Sequence, residues 1–123
     1  SSSSAASDVY KRQPQIKKAL GIDRIHTEYY SWRSRESTPA AQIDLIIERA
    51  DQITNLCEIK YSRAEYAIDS EESRKLQNRI DDFERETGTA SAVNLTFITT
   101  FGLKPNAYSS DIRYSVQLDS LFL

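Results

Sequence analysis

A chain of 123 residues, 39% of them hydrophobic, is long enough for one domain with one modest core. Its 16 Lys and Arg against 18 Asp and Glu leave a formal net charge of −2, so contact with nucleic acid has to come from local basic clusters such as Arg33-Ser34-Arg35 or Lys60-Tyr61-Ser62-Arg63. One cysteine, Cys57, excludes an internal disulfide and fits a cytoplasmic location, while one histidine, His26, leaves a Cys/His nucleophile pair or a zinc site short of partners.

No apolar run approaches the roughly 18 residues of a membrane span, and no charged-then-apolar leader opens the chain. Residues 1–13, "SSSSAASDVYKRQ", are serine-rich and without periodicity, and are set aside as a non-native or disordered segment. Structure is expected from Pro14 to the end, residues 14–123. "PQIKKALG" reads as a helix, with Pro14 at its start, apolar Ile16, Ala19 and Leu20, and Gly21 as its stop. "IDRIHTEYYSW", residues 22–32, is rich in β-branched and aromatic residues and reads as a strand. After the polar loop "RSRESTPA" come two strands, at about 42–49 and 53–61, joined by a turn at "RADQ".

Residues 69–88 form the clearest helix. Asp69 and Glu72 have capping-box spacing, Glu71 and Glu72 suit the positive end of the dipole, and Gly88 stands at the C-terminal stop. Leu76, Ile80 and Phe83 share one stripe. "ASAVNLTFITT", residues 90–100, is an apolar run expected to be a fully buried strand. A loop follows, and "SVQLDSLF" reads as a last short strand or turn. Strand, strand, strand, helix, strand predicts an α/β fold with a mixed central sheet flanked by helices.

The two middle strands carry charge inside apolar text. Side chains alternate faces along a strand, so Ile43, Leu45 and Ile47 share one face and Asp44, Ile46 and Glu48 the other. On the next strand Leu56, Glu58 and Lys60 project together, opposite Cys57, Ile59 and Tyr61. If the strands are neighbours, Asp44 lies beside Glu58, and two carboxylates and an ammonium converge on one spot. Adjacent carboxylates repel unless a cation or proton intervenes. Mg²⁺ meets that need with hard oxygen ligands, and a nearby lysine orients water or offsets phosphate charge. The chemistry is then metal-assisted phosphodiester hydrolysis. The competing reading is a pair of half-exposed strands, with Glu58 and Lys60 as a surface ion pair.

"QIDLIIERADQITNLCEIKYS" resembles the core of the PD-(D/E)XK nuclease superfamily, the restriction-endonuclease-like fold, in which an Asp opens one strand of a hairpin and (D/E)-x-K lies on the next. Asp44 matches the first acid, Glu58 the second and Lys60 the lysine, although Ile43 stands where the motif's proline would be. From Ile16 onward the text, including "TEYYSWRS", "YAIDSE", "LQNRIDDFERETGT" and "LTFITTFGLKPNAYS", resembles the C-terminal domain of bacterial and archaeal-type AAA-family ATPases.

The resemblance implies a C-terminal fragment of a larger ATPase, covalently linked upstream to a P-loop domain. This chain has no G-x-x-x-x-G-K-[ST] run of its own. It also implies Asp44 and Glu58 as ligands of Mg²⁺ or Mn²⁺, Lys60 as the third catalytic residue, and DNA as substrate. A further acid is expected from an upstream helix, for which Glu28, on a strand, is a poor match.

The alternative is a catalytically silent interaction or regulatory module of the parent ATPase. A pure DNA-binding module is a third class, disfavoured by the low net charge. Tyr29, Tyr30 and Trp32 are read as packing residues before base-stacking ones, and Lys75 and Arg79 as members of a solvated face before phosphate contacts. Tyr61 and Ser62, following the motif directly, are candidates to line the site.

Overall fold

The computed structural model describes residues 9–117. Helix α1 spans Gln13–Leu20, followed by strands β1 (Thr27–Arg33), β2 (Gln42–Arg49) and β3 (Ile53–Lys60). Helix α2 (Ser70–Thr87), strand β4 (Ala92–Thr99), a 3-10 turn (Ser109–Asp111) and strand β5 (Tyr114–Gln117) complete the order. The fold is α/β. One five-stranded mixed sheet runs β1-β2-β3-β4-β5, antiparallel from β1 to β3 and parallel from β3 to β5.

Each helix is bounded by the residues that chemistry favours there. Pro14 sits at the start of α1, where its missing N–H has no intrahelical partner to lose, and Gly21 ends it in the left-handed conformation at φ 73°. Asp69 caps α2, its side chain accepting from the Glu72 N–H at 2.8 Å, and Gly88 closes it at φ 61°.

The sheet buries both faces. On one side Ile16, Ile22, Leu45, Ile47, Cys57, Ile98 and Val116 pack together under α1. On the other, Phe83 of α2 packs with Ile43, Ile46 and Leu56, and Leu76 with Ile68 and Phe97. Val9 is fully buried in the first cluster and Tyr10 meets Tyr29 at 5.5 Å between ring centroids. Part of the segment set aside as disordered therefore belongs to the core; residues 1–8 lie outside the described ones.

Two other boundaries and one strand's register differ from expectation. β1 begins at Thr27, because Ile22 and Ile25 turn into the core through a loop instead of alternating along a strand. β5 covers Tyr114–Gln117, and the remainder of the expected last element lies outside the described residues. β2 has the expected bounds, Gln42–Arg49, but not the expected alternation. Tyr30 pairs with Ile46 and Trp32 with Ile43, so Ser31 alone faces both Asp44 and Leu45. That extra residue is a β-bulge, and it breaks the alternation of faces. Ile43, expected beside Leu45 and Ile47, accordingly packs with Ile46 and Leu56.

Candidate functional site

The hairpin of β2 and β3 brings its two charged stretches to one end. Pairing runs from Glu48↔Thr54 at the turn to Leu45↔Cys57, the residues next in sequence to Asp44 and Glu58. β3 goes on to Lys60 hydrogen-bonded to β4. Asp44, Glu58 and Lys60 line one cleft of about 300 Å³, together with Gln42, Cys57, Ile59 and Arg79. The bulge at Asp44–Leu45 lies at its rim, a position where bulges commonly re-aim a side chain.

The electrostatics centre on Glu58. Its carboxylate takes Lys60 Nζ at 3.1 Å on one oxygen and Arg79 Nη1 at 2.9 Å on the other. Lys60 Nζ also reaches Glu72 at 3.1 Å, and the Tyr66 hydroxyl donates to Glu72 at 2.6 Å. Side-chain exposure of 19% for Glu58 and 27% for Lys60 makes this a half-buried network, not a solvated surface pair. Asp44 is different: it accepts from the amide of Gln42 at 2.8 Å and, among the described residues, meets no cation.

Burial works against the Lys60 ammonium, but the charges and hydrogen bonds of Glu58 and Glu72 outweigh it and hold its pKa above the ordinary lysine value. Lys60 is therefore a fixed cation and a donor at neutral pH, with no lone pair to act as a base. Burial and donation to Glu72 push the Tyr66 phenol up to about 12, so it too stays a donor.

Helix α2 supplies what the linear motif lacks. Glu72 in its first turn and Arg79 two turns on both point to β3, and Lys60 and Arg79 line a second cleft of about 310 Å³ with Tyr66, Glu72 and Lys75. Arg79, expected on a solvated face, is thus part of the site. The signal was its position three residues after Leu76, next to the buried stripe. Lys75 follows the expectation, pairing with Glu71 at 3.3 Å on the exposed side.

Other candidates fall away from the cleft. Tyr61 is 54% exposed, and Ser62 bonds to Thr100 and to the Ala64 carbonyl. Glu28 meets His26 at 3.7 Å on the open edge of β1. Cys57 does line the cleft, but it is buried and desolvation pushes its thiol pKa up, away from the thiolate that a nucleophile needs. Trp32 packs edge-on against Phe83 at 5.3 Å, and Tyr30 donates to Glu48 at 3.1 Å.

The donor set suits a hard divalent cation in kind: two carboxylate residues line one cleft of about 300 Å³, with room for water or phosphate oxygens. No group of three or more His, Cys, Asp or Glu is gathered as a ligand cluster among the described residues. No helix among them is long and apolar enough to cross a membrane.

No protein-family model matches the chain, and no curated protein matches it. Among solved structures it is similar to the crystal structure of a protein of unknown function, AF1548, with a TM-score of 0.55 and 15% sequence identity over 83% of this chain. The match covers 53% of that protein, so the chain spans about half its length. The likeness is one of fold.

Proposed function

We propose that this chain is a restriction-endonuclease-like domain of the PD-(D/E)XK type that hydrolyses DNA phosphodiesters with Mg²⁺ or Mn²⁺, and that it works in the cytoplasm as the C-terminal part of an AAA-family ATPase. The observation that carries the reading is the meeting of Asp44, Glu58 and Lys60 in one cleft at the open end of a hairpin, an Asp near the start of one strand and Glu-x-Lys at the end of the next.

Asp44 and Glu58 would hold the ion through their carboxylate oxygens. Bound there, such an ion would supply Lewis acidity to a water and to a phosphoryl oxygen. Lys60, held as an ammonium between Glu58 and Glu72, donates to the attacking water or to the phosphate, offsetting charge as it develops. Proton abstraction by Lys60 is not part of the scheme, since its pKa lies above the ordinary value.

The test is calorimetric titration of Mn²⁺ into the wild type and into Asp44→Ala/Glu58→Ala, followed by a cleavage assay on DNA. Binding in the wild type that is lost in the double variant is the expected result. Lys60→Ala should keep the metal and lower cleavage by about 10²-fold or more, as for loss of a preorganised electrostatic group. Cleavage unchanged by Lys60→Ala would sink its assignment.

One observation favours a second reading, a silent interaction module of the parent ATPase: both Glu58 oxygens already carry internal cations. Absence of Mn²⁺ binding in wild type and variants alike would decide for it.

A further inference from the structure

We infer that Arg79 is a latch on the proposed metal site: its guanidinium pairs with Glu58 and competes with a divalent cation for that carboxylate. The inference rests on the proposed metal reading and adds to it a residue that no part of the linear motif contains.

A carboxylate oxygen at about 2.1 Å from Mg²⁺ cannot keep a guanidinium in line on the same lone pair without bringing two positive charges close together. Glu58 Oε2 takes Arg79 Nη1 at 2.9 Å, and Oε1 takes Lys60 at 3.1 Å. The two contacts differ in what holds the cation. Lys60 has a second anchor in Glu72 at 3.1 Å and lies 5.5 Å from the centre of the Tyr66 ring. Arg79 has Glu58 as its one carboxylate among the described residues, and at 35% its side chain is the most exposed of the four charged partners.

Arg79 is also the group with somewhere to go. It lines both the Asp44–Glu58 cleft and the neighbouring cleft beside Tyr66 and Lys75. Released from Glu58, it remains in the shared wall, within reach of a phosphodiester bound across the two clefts, where its planar fork suits phosphate oxygens. Metal and phosphate binding then reinforce each other, because each is favoured when Arg79 leaves Glu58, and that coupling is reciprocal.

Calorimetric titration of Mn²⁺ into wild type, Arg79→Gln and Lys75→Gln tests the latch. Removing a competing half-exposed ion pair should tighten Mn²⁺ binding by about three- to tenfold in Arg79→Gln. Lys75→Gln removes the same charge one turn away, from a residue paired to Glu71 alone among the described residues, and should stay within about twofold of wild type if the effect is contact-specific rather than long-range.

Binding in Arg79→Gln equal to or weaker than wild type, with the Asp44→Ala/Glu58→Ala variant still binding nothing, overturns the latch and leaves the metal site standing. Equal tightening in Lys75→Gln also overturns it. If no protein binds Mn²⁺, the metal reading falls and the latch with it. Binding seen only in Arg79→Gln supports the latch in its strongest form. Thermal melts without metal check that each variant folds.

Discussion

The Ser34 hydroxyl donates to Glu86 and accepts from the backbone N–H groups of Glu36 and Ser37, tying the loop after β1 to the last turn of α2. Glu86 also accepts from the Arg35 N–H at 3.0 Å. These bonds, with Ser34 foremost, hold the Glu86 carboxyl below the usual glutamate range. Asp51 is lowered likewise, first by its hydrogen bond from Arg49. A depressed folded pKa means the folded state prefers the anion. The stabilisation is present above the ordinary carboxylate pKa and disappears as pH falls through the folded value. Melting temperature should therefore be level near pH 6 and fall below about pH 4.5, where an unperturbed glutamate begins to protonate. Ser34→Ala should melt lower at pH 6 and lose less on further acidification, because part of the acid-sensitive stabilisation is already gone. An acid arm of unchanged slope in that variant would assign it elsewhere.

Helix α2 is the element whose sequence carried the most. Its cap, its Gly88 stop and its Leu76, Ile80, Phe83 stripe all lie where local chemistry places them, because each depends only on residues a turn or two away. Phe83 is 1% exposed, packed against Ile43, Ile46 and Leu56 and edge-on to Trp32. Phe83→Ala should cost about 3–5 kcal/mol in denaturant unfolding, the scale of a large core truncation that leaves a cavity. Asp69→Ala, at the exposed cap, should cost about 1 kcal/mol. Equal losses would mean that α2 is anchored by its start and not by its stripe. The strands were less legible where their neighbours decide. The bulge opposite Ser31 has no glycine or proline to announce it, and it exists because β1 and β2 must keep register around Trp32 and Ile43. β1 begins five residues late because Ile22 and Ile25 are β-branched for core packing, which a composition rule reads as strand.

At the scale of the molecule, the site is legible in the measure that it is local. Asp44, Glu58 and Lys60 lie on one hairpin, so alternation and proximity could bring them together on paper. Glu72 and Arg79 join only when α2 crosses from β3 to β4 and lays its charged flank along β3; the spacing from Leu76 sets Arg79 beside the buried stripe but does not say which strand it meets. Sheet order gives this assembly a graded stability. β3 is paired to β4 along its whole length, Ile53↔Ala92 to Lys60↔Thr99, and to β2 only as far as Leu45↔Cys57. Glu58 to Lys60 thus stand on a strand held firmly on one side and open on the other. β5 is a four-residue edge strand and β1 the opposite edge. Amide hydrogen exchange should follow that gradient, since amides opened only by global unfolding lie where a strand is paired on both sides under buried side chains. The slowest amides should be those of Leu56 and Cys57 in β3 and Phe97 and Ile98 in β4, with β5 exchanging faster by about tenfold or more through local opening. Uniform protection across all five strands would make the domain one cooperative unit.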